Sequence, residues 1–186
     1  MKFRKVRANI MVSLGGLTKS TGGGLINQSG WYLCEVTSQE TTNDYGTQVE
    51  LSVRVDGIGD GIGDEQLGKN SRIWLSTAPS DFAKDPERAQ AAITSKLVNL
   101  AYSMNVIDKN QLEAVKNGED IEIDFNVSNP VQTYLKINVW EKKNGKTNLD
   151  VRESRPVSED VAAPPIMKMA EVTEAEPVSH DDDGWG

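Results

Sequence analysis

The chain has one cysteine, one histidine and three phenylalanines in 186 residues. With Cys34 alone no intramolecular disulfide can form, which fits a reducing compartment. Cys34 stands between Leu33 and Glu35 in an apparent strand and reads as a small core residue. A reactive thiol would need a base, and the only histidine, His180, lies near the other end of the chain. No apolar run approaches the ~20 residues that span a bilayer. The basic opening MKFRKVRANI runs into glycines before a secretory-type apolar core can form. The expectation is a soluble, cytoplasmic protein.

Catalytic motifs are missing too. LGGLTKSTGGG has the composition of a phosphate loop but not its spacing, since Thr18 rather than glycine precedes Lys19. Asp56, Asp60 and Asp64 recur every four residues in DGIGDGIGDE, matching neither an EF-hand nor a GGxGxD repeat, so this stretch is expected to be a flexible loop. Glu122 and Asp124 alternate along one strand-like segment, the usual solvated arrangement, with no second cluster for a two-metal site. No catalytic residue, metal site or cofactor is assigned, and the protein is expected not to be an enzyme.

Charge is unevenly spread. Residues 158–186 hold eight acidic side chains against Lys168, a net of −7, while residues 1–157 carry −1. That last stretch also holds Pro164, Pro165 and Pro177 and few bulky apolar groups, so burial there cannot offset an ordering cost of roughly 1–2 kcal/mol per residue. It is expected to be a disordered acidic tail ending in Asp181, Asp182, Asp183 and Trp185. Residues 1–27 carry Lys2, Arg4, Lys5 and Arg7 and then glycines, and are expected to be a flexible arm. Such an arm either lies along a phosphate backbone or is an ordinary solvated terminus.

Between these ends, residues 28–157 alternate in the manner of strands. WYLCEVTSQ (31–39) is a strand and TTNDYG (41–46) a turn. TQVELSVRV sets Thr47, Val49, Leu51, Val53 and Val55 on one face. In KNSRIWLST, Ile73 and Leu75 face in, and Arg72, Trp74 and Ser76 face out. A helix follows to about residue 106, capped by Ser80 or Asp81, with Ala89, Ala92, Ile93, Lys96, Leu97 and Leu100 as its stripe. Asp108 opens a shorter helix that ends at Gly118. EDIEIDFNV (119–127) alternates as a strand, and Ser128-Asn129-Pro130 reads as a turn. VQTYLKINVW (131–140) sets Leu135 and Ile137 inward, and a hairpin turn centres on Asn144-Gly145. Short antiparallel strands with a helical insert after the third give the expected fold: mainly β, a small closed OB-fold-like barrel plus the tail.

On the face opposite the apolar stripe fall Arg54, Arg72, Trp74, Tyr134, Lys136 and Trp140, with Tyr45, Lys142, Lys143 and Lys146 in nearby turns. Aromatic planes among cations suit an unpaired nucleic-acid strand, because each base offers a π-face worth ~1–3 kcal/mol and each phosphate a charge. These ten are the candidate nucleic-acid-binding residues. Packing against a helix or a second copy is the competing reading for Trp74 and Trp140, and Trp31 reads as packed.

GWYLCEVTSQ, TQVELSVRV, the RIWL strand, KLVNLAYSMNV and NGKTNLDVRESRPV together resemble bacteriophage single-stranded DNA-binding proteins with an OB-fold core, over residues 28–157. The DDDGWG ending is similar to the acidic, aromatic-terminated tails of such proteins, though those usually end on phenylalanine. The resemblance implies largely sequence-independent coating of single-stranded DNA in phage replication, recombination or repair, in the host cytoplasm. It also implies a tail that competes with DNA and recruits replication proteins. The alternative is a protein–protein adaptor working through the tail without nucleic-acid binding.

Overall fold

Period-two alternation builds most of this molecule. A computed structural model of the chain describes residues 25–44, 46–158 and 161–169. Its strands are β1 (Gly30–Asn43), β2 (Gly46–Gly59), β3 (Asn70–Ser76), β4 (Val127–Glu141), β5 (Thr147–Pro156) and β6 (Ile166–Met169), and its helices are α1 (Pro86–Ser103) and α2 (Lys109–Lys116). The strands form one antiparallel sheet in the order β3-β2-β1-β4-β5, with β6 added to β2. The five strands curl into a half-barrel. A central first strand between the second and fourth, with helices between the third and fourth, is consistent with an OB-like fold. The expected closure by hydrogen bonds does not occur among the described residues. β3 and β5 approach each other without sharing a ladder, and α1 packs on β5.

The inward residues of every strand meet in one core. Tyr32 and Val36 of β1, Val49, Leu51, Val53 and Val55 of β2, Ile73 and Leu75 of β3, Leu135 and Ile137 of β4 and Val151 of β5 are all buried. α1 adds Leu97, Val98, Leu100 and Ala101. Its stripe runs through Thr94 and Leu97 rather than Ala92, which is exposed. Its cap is Asp85, whose carboxylate accepts from the Arg88 amide, and not Ser80 or Asp81. Pro86 fixes this, because proline is favoured at the first helical position and the cap must immediately precede it. Asp108 and Gln111 cap α2 reciprocally, and Gly118 follows its end at φ 88°.

Four segments depart from the alternation reading. Residues 119–126 are not a strand, although Phe125 is buried and Ile121 and Ile123 are half-buried as expected. Side chains satisfy their backbone instead: the Ser38 hydroxyl donates to the Phe125 carbonyl at 2.6 Å, and the Glu40 carboxylate accepts from the Phe125 amide at 3.3 Å, while Asn126 Oδ1 accepts from the Glu40 amide in return. Ser128-Asn129-Pro130 is not a turn but lies inside β4. There the pairing with β1 slips, from Val36 opposite Val131 to Ser38 opposite Val127, so the missing amide of Pro130 falls in a bulge. The Asp56–Gly59 part of the expected loop belongs to β2. Finally, β6 lies within the 158–186 stretch expected to be free, so the folded unit extends to residue 169.

β6 docks where two glycines allow it. A Cβ on Gly57 would meet Met169 Sδ at 2.9 Å and Ile166 Cγ2 at 3.0 Å, and one on Gly59 would meet the Trp31 and Pro165 carbonyl oxygens at 2.9 and 3.2 Å. Lys168 adds an ion pair with Asp64.

Candidate nucleic-acid interface

The outward residues of β1, β2 and β3 form a grid set by register. Trp74 lies opposite Glu50, Arg72 opposite Ser52, and Asn70 opposite Arg54, which in turn lies opposite Glu35. These side chains are outward because their neighbours Ile73, Leu75, Val53 and Val55 are buried. Trp74 is 54% exposed and Trp140 is 42% exposed. Both line one open groove of about 900 Å³, together with Arg54, Arg72, Glu35 and Leu25. The groove runs over β2 and β3 and takes in Thr147, Asn148 and Leu149 from β5. Two half-exposed indoles in one groove offer flat apolar surface that water covers poorly, which favours stacking of planar ligands.

The groove's cations already have partners. Arg54 meets Glu35 at 2.8 Å and Asp56 at 3.2 Å, and Arg72 meets Glu50 at 3.5 Å. Both arginine side chains are at least half exposed, but Glu50 and Asp56 are largely buried, so an added anion would share each arginine with its carboxylate rather than displace it. The larger balance is less favourable to an anion. Residues 25–157 hold 14 basic and 20 acidic side chains, a net of −6.

The other candidates fall into separate places. Tyr134 and Lys136 are half-buried on β4, opposite Leu33 and Trp31. Lys136 Nζ bonds Glu153 at 2.7 Å and lies 5.8 Å from the Trp31 ring centre, while the Arg155 guanidinium covers the same ring at 4.9 Å. Neither Tyr134 nor Lys136 lines the groove, and Trp31, half-buried under these two cations, does not line it either. Lys142, Lys143 and Lys146 sit in the β4–β5 hairpin, where Lys142 and Lys146 pair through backbone and only Gly145 has positive φ, 76°. The turn is therefore a three-residue loop with glycine at its left-handed position, rather than a two-residue turn over Asn144-Gly145. None of the three ammonium groups pairs with a carboxylate among the described residues. Tyr45, Asp181, Asp182, Asp183 and Trp185 lie outside the described residues.

Alternation alone missed three groove features. Leu25 was assigned to the arm, yet it is part of the groove wall and precedes Ile26, which is fully buried and donates its amide to Ser71 Oγ. An apolar pair directly after a glycine run was the available signal. Glu35 is the second and Asn148 the third; they carry no aromatic or cationic mark.

Comparison with protein-family models and with curated proteins gives no match. The chemistry of the site rests on its own geometry. Two buried groups on β1 are strongly perturbed. Burial, and then the nearby Asp56 charge, push the Cys34 thiol well above its usual range. Burial pushes the Tyr32 phenol up as well, and its hydroxyl donates to the Gln28 carbonyl at 2.7 Å. Both therefore stay protonated, and Cys34 has no path to act as a nucleophile. Among the described residues, no three His, Cys, Asp or Glu side chains gather as metal ligands, and no helix is long and apolar enough to cross a membrane.

Proposed function

We propose that this protein binds single-stranded DNA without strong sequence preference, through the groove over β2 and β3, as part of phage replication, recombination or repair. The observation that carries the reading is the convergence of Trp74, Trp140, Arg54 and Arg72 on one open groove. Stacking is indifferent to base identity, so the ring pair predicts tolerance of sequence, and the half-exposed Arg54 and Arg72 leave donors for a phosphate beside their carboxylates. In OB folds generally, the second and third strands and the flanking loops form the oligonucleotide face, which is where this groove lies. The acidic residues 171–186 then act as a competitor for the same cations and as a handle for replication proteins.

A second reading has a specific observation behind it. The net of −6 over residues 25–157 favours an adaptor whose working part is the acidic tail. Titration with oligo-dT at low salt, followed by intrinsic fluorescence and by the anisotropy of a labelled oligonucleotide, separates the two. Quenching that saturates, with affinity falling as salt rises, is the outcome expected for the groove. Absence of both signals, with tail-dependent capture of a replication protein, establishes the adaptor instead.

A further inference from the structure

A groove that holds a polyanion gains nothing from a carboxylate turned toward the phosphates. Glu35 nevertheless lines the groove, directly opposite Arg54 across the β1–β2 ladder. Its Oε2 meets Arg54 Nη2 at 2.8 Å, and Arg54 Nε donates to Asp56 Oδ1 at 3.2 Å. These contacts orient both side chains and leave part of each unused. Among the described residues, Glu35 Oε1 and Arg54 Nη1 have no partner. The pair therefore presents a free acceptor beside a free donor in the groove wall. Asn70 lies opposite Arg54, and Trp74 is four residues further along β3, so the pair stands roughly 13 Å along the strands from the Trp74 ring's backbone.

We propose that the Arg54–Glu35 pair reads the hydrogen-bonding edge of an unpaired base and favours guanine. The inference rests on the single-strand reading above and adds a modest base preference to the stacking in the same groove. Each base edge sets its donors and acceptors in a different order. Guanine alone sets two adjacent donors, N1–H and N2–H, beside one acceptor, O6. A carboxylate is acceptor-only, and Glu35 Oε2 keeps a lone pair beside its bond to Arg54, so the two guanine donors can bond the two carboxylate oxygens while Arg54 Nη1 donates to O6. Cytosine and adenine place a ring-nitrogen acceptor next to their single amino group, which a carboxylate repels. Thymine offers one N–H between two carbonyls. In a duplex the same guanine atoms are bonded to cytosine, so the pair also disfavours paired DNA. The contact turns the bases toward β1 and β2 and the phosphates outward, which takes the backbone away from Glu35. Arg72, also in the groove, keeps donors for a phosphate.

The test uses the full chain and three labelled oligonucleotides of about eight nucleotides, within the ~4–16 that one OB fold covers: oligo-dT, alternating dT-dG and alternating dT-dI. Inosine keeps O6 and N1–H but lacks the 2-amino group. By anisotropy the parent should bind dT-dG about fivefold tighter than oligo-dT, with dT-dI between. That is the low end for a bidentate contact, about fivefold, because the Glu35 side chain is 33% exposed and the Arg54 side chain 50% exposed. In Glu35→Ala the ratio of the two affinities should fall to about one, while oligo-dT still binds and still quenches tryptophan fluorescence. Where Glu35→Ala melts well below the parent, Glu35→Gln takes its place; it has the same size but a single acceptor oxygen, and the ratio should fall there too. A parent without the preference, or a preference that survives the substitution, overturns the inference while leaving the groove reading in place. Failure of the parent to bind any of the three overturns both.

Discussion

Replacing Trp74 by alanine separates a stacking ring from a packing ring. The ring is 54% exposed, so roughly half of the 150–250 Å² that a tryptophan can bury is at stake on the folding side. At 25 cal/mol per Å² that is at most about 3 kcal/mol. A domain stable by ~5–15 kcal/mol remains folded after such a loss, so any binding defect at 25 °C cannot be attributed to unfolding. On the binding side, removal of one stacking ring costs ~1–3 kcal/mol, or a 5- to 150-fold weaker Kd. The control is Trp31→Ala. Its ring lies under Arg155 and Lys136 and outside the groove, so it should lower Tm without weakening oligonucleotide affinity by more than a few-fold. The assay is anisotropy of a labelled oligo-dT for both variants, with circular dichroism melts alongside. Equal affinity of Trp74→Ala and parent, or an equal binding loss in the two variants, refutes the reasoning.

Three further outcomes follow from packing and protonation. Gly59→Ala forces a methyl against two backbone carbonyls and should cost ~1–3 kcal/mol while loosening β6, seen as faster tryptic cleavage after Lys168. Unaltered cleavage and Tm would mean that the 165–169 segment yields without cost. The raised pKa values of Tyr32 and Cys34 make stability pH-dependent on the alkaline side. Below the ordinary values of 9.0 and 10.0 both states hold the protons; above them only the unfolded chain releases protons, so stability falls as pH rises. Urea midpoints should drop above about pH 9, and Tyr32→Phe should flatten the fall above pH 10; a midpoint constant to pH 11 would contradict this. Asp108→Ala removes a reciprocal cap and should cost ~1 kcal/mol, a loss of about 3 °C in Tm by calorimetry.

The parts legible in the sequence were those decided by side-chain periodicity. Val49 to Val55 and Ile73 to Leu75 alternate cleanly and are buried as their spacing requires, and the outward direction of Arg72 and Trp74 follows from the same count. Periodicity reports burial and not hydrogen bonding, which explains residues 119–126: Ile121, Ile123 and Phe125 point inward, yet Ser38 and Asn126 side chains take the place of a ladder. The charge state of the groove was not legible, because Glu35 and Glu50 reach Arg54 and Arg72 only through the pairing of β1 with β2 and β2 with β3. β6 was hidden by averaging over the acidic tail. The run VAAPPIMKMA, residues 161–170, contains no carboxylate, and that gap marks where the chain returns to the sheet.

The attachment of β6 to β2 also bears on how the molecule is made. The second strand leaves the ribosome about a hundred residues before the segment that covers its Gly57–Gly59 rim. Until that segment emerges, the nascent protein presents bare backbone amides and carbonyls there, the kind of template on which unrelated chains nucleate aggregates. A gene fragment ending at codon 157 would keep that rim bare permanently, whereas one ending after codon 169 would not. Shortened versions meant to shed only the acidic end should therefore be cut at the later position.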